Sequence, residues 1–593
     1  MAEKGDYTIN NIYQGGYSAL EPNYGDIFTG YHVAARELGA PTKPDTANQI
    51  QQVNMLLNQG IIPIEVGALS PEVFDQIPKQ HFKEINRMAK LAGAEVSVHA
   101  PIIEASGITD QGWSESERQL AENQLKNVID RTAPLNEKGQ MSITIHGAGK
   151  IPGAEYEKTP EGKKETAIYV VNSETGKITT TLREEKKFYL STKNWEEGTV
   201  LSPKEELEQL NSTEWSNSLS QLMHHKEDAD ARIKESLSRL HPEILNGLIT
   251  KKISFDLLKP EQKSAYSRFI SANQFLTDAG QNLSSMFNKA YKFGTERDRE
   301  LLKKAAEEYK KDLSKGKSIF EQLTNRSNAM QKLASTLEEI TPQIYKPVEE
   351  FALEKSATTF ANVAFHGFKK YKDKAPLVDI ENLFPGMAFS YGKELKNLIE
   401  ETRKKFVERA IKEGYSKSVA ESQANKLIGI TLDVGHINIA KKKGFTNKDI
   451  LKEVNEIAKY VKHVHLTDNF GYSDSHLPPG MGNVPFKEIL ERLEKEGYKG
   501  KKIVEAGGFV QHFGASPLPY TLQAMGSPIF AEGEAPYWNQ TVGLYQGYSG
   551  GFGNMLPQIN YETFGAGFSQ LPAELGGERP GAKGSRMSGK PME

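Results

Sequence analysis

A (β/α)8 barrel is the fold class this sequence predicts, and three observations predict it. Seven short apolar, β-branched runs recur along the chain, amphipathic stretches of helical length separate most of them, and the last six runs carry a histidine or a carboxylate at their ends. The runs are IIPIEVGA from Ile61, EVSVHAPI from Glu95, SITIHGAG from Ser142, PLVDIENLF from Pro376, IGITLDVGH from Ile428, KHVHLTDN from Lys462 and KKIVEAGG from Lys501. Each closes on Gly, Pro or a polar residue, the pattern of parallel strands buried on both faces. PEVFDQIPKQHFKEINRMAKLAG precedes the second run and NKDILKEVNEIAKYV the sixth, so strand and helix alternate in right-handed βαβ units. An eighth strand, the first in chain order, is expected within residues 6–33.

Four segments follow from this pattern. Residues 1–150 form the first part of the barrel and residues 376–510 the second. Residues 151–375 separate two strands that a plain barrel joins in about 30 residues, so they read as an insertion on a catalytic-side loop. Within it, TAIYVVNSETGKITTTLREEKKFYL reads as a hairpin turning at SETG, and residues 203–356, rich in Glu, Lys, Leu and Ala, read as several helices. His224 and His225 are adjacent, fall on different helix faces and read as surface residues. Residues 511–593 form a C-terminal extension rich in Gly and aromatics. PLPYTLQAMG from Pro517 is its one modest helix, and aromatics such as Tyr520, Tyr537, Trp538, Tyr548 and Phe568 suggest an ordered wrap with little regular structure.

Composition narrows the chemistry. The 593 residues include no cysteine, which excludes disulfides, thiolate metal sites and cysteine nucleophiles. Any metal must bind through His, Asp and Glu. A net charge of -3 argues against a generally basic nucleic-acid coat. MAEKGDYTINN lacks an apolar stretch of signal-peptide length and no run is long enough to span a bilayer, so a cytoplasmic protein with no membrane partner is expected.

The six terminal residues are His99, His146, Glu381, Asp433, His465 and Glu505. In a parallel barrel the C-terminal strand ends meet at one face, so these residues converge and make a metal site. His436 in LDVGH, and Asp474 and His476 in GYSDSH, join them by spacing. A lone strand histidine is usually a hydrogen-bonded core residue. Buried carboxylates at Glu381 and Glu505 are harder to explain that way, because an unpaired buried acid costs several kcal/mol. Imidazole and carboxylate together suit zinc, with manganese or iron as alternatives. His463 lies one layer deeper than His465, and Glu65 either touches substrate or forms a structural ion pair. His32, His81, His241, His366 and His512 fit no pattern.

With these residues in view, the chain resembles the xylose isomerase-like TIM barrels, which include the endonuclease IV group and many sugar and sugar-phosphate isomerases and epimerases. VSVHAP, TIHGAG, the IEN around Glu381, LDVGH, HVHLTDN with a following DSH and PGMG, and VEAGG carry the resemblance, over roughly residues 60–150 and 376–510. The endonuclease IV pattern implies up to three metals. His99, His146 and Glu381 would hold one; Glu381 would bridge to a second held by Asp433, His465 and Glu505; His436, Asp474 and His476 would hold the third. The catalytic residues would be Glu381 and Glu505. The first expectation is therefore a metal-dependent phosphodiester hydrolase acting on DNA with an abasic site, with KKKG at Lys441–Gly444 as a phosphate grip or, more simply, a solvated charge run. The alternative is a metal-dependent isomerase or epimerase on a small sugar or sugar phosphate, using Glu381, Asp433, His465 and Glu505 around one ion. A second alternative is a non-catalytic barrel scaffold.

Overall fold

The structure, a computed structural model, describes residues 33–68, 70–188, 197–315, 319–514 and 516–525. Eight parallel strands close into a barrel: β1 (Leu38–Pro41), β2 (Pro63–Gly67), β3 (Glu95–His99), β4 (Ser142–His146), β5 (Leu377–Glu381), β6 (Ile428–Asp433), β7 (Val461–Leu466) and β8 (Lys502–Val504). Each strand pairs with its sequence neighbours and β8 returns to β1 through Leu38↔Lys502 and Gly39↔Ile503. β2 to β8 fall on the seven apolar runs.

The first strand corrects the sequence reading: it lies at Leu38–Pro41, not within residues 6–33. LGAP carries no β-branched residue, and its surroundings explain why. A Cβ on Gly39 would stand 2.4 Å from the Pro63 carbonyl oxygen and 2.7 Å from Ile503 Cδ1. Neighbouring strands already fill that volume, so the position selects against the residues that signal a strand.

Alternation along the strands sorts the side chains. Val378 and Ile380, Ile143 and Ile145, Ile430 and Leu432, and Val464 and Leu466 are all buried, while their alternating neighbours are polar and meet across the lumen. Thr144 of β4 reaches Thr431 of β6 at 2.9 Å, and Glu65 of β2 reaches His463 of β7 at 2.9 Å. Contacts between non-adjacent strands can form only inside the barrel.

The outer helices are amphipathic and capped. In Phe486–Lys495 the buried residues Phe486, Ile489, Leu490 and Leu493 repeat at helical spacing, each contributing roughly 1.5–3 kcal/mol by leaving water. Ser70 caps Pro71–Gln76 by accepting from Val73 N, and Thr446 with Asp449 forms a capping box on Asn447–Ile457.

The chain divides into two compact units, one of Met1–Lys164 with Ala352–Glu593 and one of Glu165–Phe351. In the second unit, Ile178–Arg183 pairs antiparallel with the strand Gly162–Asn172 around the SETG turn, as the sequence suggested. Long helices follow, including Pro203–Arg239 and Pro260–Phe293. They enclose a core of their own around Trp215, Leu219, Phe269, Leu276 and Leu337. His224 and His225 are exposed on the first of these helices. The second unit lies inside the 151–375 span, with residues 151–164 and 352–375 grouping with the barrel.

After β8 come two short helices, Gly507–Phe513 and Leu518–Ala524. Of the aromatics named for the C-terminal extension, Tyr520 is described, while Tyr537, Trp538, Tyr548 and Phe568, with the expected wrap beyond residue 525, lie outside the described residues. Among the described residues no helix is long and apolar enough to cross a membrane.

Candidate metal centre

The nine residues chosen from the sequence stand together at the C-terminal ends of the barrel strands, in three groups of which two share Glu381. His99, His146 and Glu381 form one; Glu381, Asp433, His465 and Glu505 form another; His436, Asp474 and His476 form the third. In each group one potential ligand atom per residue lies within 4.8 Å of the others.

Glu381 joins the first two groups. Its Oε2 lies 3.2 Å from Nε2 of both His99 and His146, and its Oε1 lies 2.9 Å from His465 Nδ1. The two carboxylate oxygens therefore face different groups, which is the arrangement of a bridging carboxylate.

Several rings are fixed so that one nitrogen is presented. His99 Nδ1 lies 2.9 Å from the Ala100 carbonyl and His436 Nδ1 lies 2.8 Å from the Asn382 carbonyl. A carbonyl can only accept, so Nδ1 carries a proton and Nε2 is the nitrogen turned toward the site. Asn382 also ties β5 to β6 by exchanging two 2.9 Å hydrogen bonds with the backbone of Asp433.

Asp433 shows why this set fits a cation. Its Oδ1 accepts from Gly435 N, His436 N and Thr467 Oγ1, at 2.7, 3.0 and 2.5 Å. Its Oδ2 is buried and, among the described residues, has no hydrogen-bond partner, and the same holds for Asp474 Oδ1. Buried carboxylate oxygens without donors call for a cation, and the surrounding imidazole and carboxylate donors suit a borderline divalent ion.

The loop after β7 holds the third group. Asp468 accepts from the backbone N–H of Asn469, Gly480 and Gly482, each at 2.8 Å, and so folds the loop back on its own start. His476 takes φ +45°, a left-handed backbone that non-glycine residues seldom adopt. That conformation directs His476 Nε2 to Asp474 Oδ2 at 2.9 Å, while His436 Nε2 stands 3.3 Å from the same oxygen.

Charge coupling follows the geometry. Burial disfavours the charged form of His99 and of His476, yet Glu381 and Asp474 respectively outweigh it and bring both rings up to about 9. Burial likewise opposes the charged form of Glu381, but His465, His146 and His99 hold its carboxyl well below the usual range. Burial pushes the Glu505 carboxyl up. Neighbouring carboxyls are thus driven apart, a pattern that accompanies catalytic acid–base pairs.

Two sequence readings resolve here. Glu65 is fully buried and lies 2.9 Å from Nε2 of both His463 and His465, so it is an ion-pair partner below the site. Lys441 donates to the Asn483 carbonyl at 2.6 Å and Lys443 stands 3.5 Å from Glu155, so of the three lysines in KKKG only Lys442 is exposed. Thr467, Asp468 and Asn382 escaped sequence reasoning. The TDN and IEN tripeptides placed them beside ligands, but backbone-holding roles leave no spacing pattern.

Residues 416–511 match a family model described as xylose isomerase-like TIM barrel. An uncharacterized protein of Methanocaldococcus jannaschii is 40% identical over 81 residues, 14% of this chain and 26% of that protein. Fructoselysine 3-epimerase of Shigella flexneri is 29% identical over 76 residues, 13% of this chain and 26% of that enzyme. The chain thus spans about a quarter of the length of the curated relatives it matches. Among solved structures, D-psicose 3-epimerase from Clostridium cellulolyticum H10 aligns with 8% identity and a TM-score of 0.35, covering 82% of this chain and 96% of that one. The match to the xylose isomerase-like TIM barrel model covers β6, β7 and β8 with Asp433, His436, His465, Asp474, His476 and Glu505, in a chain whose eight parallel strands close into a (β/α)8 barrel.

Proposed function

We propose that this protein is a divalent-metal-dependent isomerase or epimerase acting on a small sugar or sugar derivative. The observation that carries the reading is the pair Glu381 and Glu505, both reaching His465 Nδ1, at 2.9 and 3.4 Å, within one group of metal-type donors. The curated relative named as an epimerase supports it. Glu381, Asp433, His465 and Glu505 would hold the ion, with zinc, manganese or iron suited to that donor set. Such an ion would supply positive charge to two vicinal substrate oxygens and acidify the adjacent C–H.

The chain's own residues do the rest. One of the two carboxylates takes the proton from carbon and the other returns a proton to the opposite face, so configuration changes while composition does not. Burial raises the Glu505 carboxyl while the neighbouring rings hold Glu381 low, so the two carboxyls differ in proton affinity as an acid–base pair does. The test is proton exchange: metal-loaded protein is incubated with a panel of ketoses and ketose derivatives in D2O, and deuterium incorporation next to the carbonyl is followed by NMR. Incorporation into at least one substrate, abolished by chelation, is expected. No exchange across the panel, with cleavage of abasic-site DNA by the same protein, would reverse the reading.

The second reading, phosphoester hydrolysis, is favoured by one specific observation. His436, Asp474 and His476 form a third metal-type group, which a single-ion isomerase does not need. Two or three tightly held equivalents per chain would support hydrolysis, and one exchangeable equivalent would support the isomerase.

A further inference from the structure

The lumen beneath the groups described above holds a further buried cluster of metal-type donors, Glu65, His463 and His465, of which the proposed function uses only His465. Glu65 of β2 is fully buried and points across the barrel to β7. Its Oε2 accepts from Ser97 Oγ at 2.9 Å and lies 2.9 Å from His463 Nε2; its Oε1 lies 2.9 Å from His465 Nε2. His465 has no exposed surface, and its other nitrogen, Nδ1, faces Glu381 and Glu505. One ring thus joins a carboxylate below to the metal-type donors above.

We propose that Glu65 is a positioning residue: it takes the Nε2–H side of His465, so that Nδ1 keeps its lone pair and points at the ion position formed with Glu381, Asp433 and Glu505. The proposal rests on the metal-site reading of those residues. A neutral imidazole binds metal through one nitrogen only when the other holds the proton, and an acceptor fixed at the protonated nitrogen sets both tautomer and ring angle. Glu65 is itself fixed, by Ser97 on one side and His463 on the other. A buried carboxylate is costly unless its oxygens are engaged; here Ser97 and His463 engage Oε2 by hydrogen bonds, and Oε1 faces His465 Nε2 in a 2.9 Å charge contact. An ion pair serving only the fold would need no link to the ring that faces the site.

The test is metal affinity rather than turnover. Metal-free full-length protein is titrated with zinc against a chromophoric chelator, and with cobalt(II) to record the ligand-field spectrum. Glu65→Gln should weaken the ion at Glu381, Asp433, His465 and Glu505 by about 10- to 100-fold and shift the cobalt spectrum, with far-UV circular dichroism unchanged. Ser97→Ala, which leaves Glu65 in place but loosens it, should give a smaller loss at the same ion. It carries the test alone if Glu65→Gln does not fold. Wild-type affinity and an unchanged cobalt spectrum in the folded variants would overturn the positioning role and leave the metal site standing. A wild-type protein that takes up no divalent ion would overturn both.

Discussion

Glu381 is where the three-dimensional arrangement depends most on a single charge. Its oxygens face His99 and His146 on one side and His465 on the other, so the isosteric change Glu381→Gln keeps the shape and removes what would hold two cations close together. Turnover should fall by about 10²- to 10⁴-fold with the fold intact; near-normal activity at saturating metal would show that Glu381 neither bridges nor carries a proton. The same residues set a pH dependence. His99 and His476 lie at about 9 in the folded chain against an ordinary 6.5. In the metal-free protein their contribution to stability is fully present below pH 6.5 and is lost as pH rises through about 9. Glu381 and Asp474 are held low, so their contribution is present above the ordinary carboxylate range and is lost as pH falls. Metal-free protein should therefore melt highest between about pH 5 and 6.5. Bound metal requires unprotonated rings, so zinc should raise the Tm more at pH 8.5 than at pH 6. Calorimetric scans at the two pH values check this, and an equal zinc effect at both would contradict it.

At the scale of elements, the strand ends were readable and the loops were not. β2 to β8 announced themselves because parallel strands covered on both faces need continuous apolar residues, and their terminal His, Asp and Glu stood out against that background. β1 did not, since Gly39 is squeezed by Pro63 and Ile503 and nothing β-branched can occupy it. Glu65 and His463 were visible as polar residues inside strands, but their pairing needed the register of β2 against β7 across the lumen. The loop after β7 was half legible: DSH gave Asp474 and His476, whereas the amide cradle around Asp468 that folds it could not be read from spacing. This loop carries its own prediction. Asp474 and His476 supply two of the three donors in the third group, so replacing both with Ala should lower bound metal by about one equivalent by elemental analysis. The strands beneath are untouched, so the ion at Glu381, Asp433, His465 and Glu505 should remain. Unchanged stoichiometry would remove the observation that favours hydrolysis.

For the whole molecule, the question is why a barrel of this type carries so long an interruption between β4 and β5. Composition showed where regular βαβ alternation stops, because helix-forming residues replace the apolar runs after residue 203, but it did not show whether those helices depend on the barrel for a core. The structure supplies the means to answer. Trp215, Leu219, Leu222, Ala229 and Ile233 on one long helix, Phe269, Ala272, Leu276, Ala279 and Leu283 on another, and Met330, Leu333, Ala334 and Leu337 on a third form one buried cluster. Trp215 Nε1 closes it by donating to the Leu337 carbonyl at 2.8 Å. All of these residues fall between Glu165 and Phe351, the bounds of the second compact unit. A segment that buries its apolar faces on itself meets the main condition for folding alone. Residues 165–351 expressed as a separate polypeptide should therefore be strongly helical and unfold cooperatively. Trp215→Ala in that fragment should cost about 3–5 kcal/mol, through the cavity and the lost hydrogen bond. A fragment that shows no cooperative melt by circular dichroism would mean that the helices need the rest of the chain to order them.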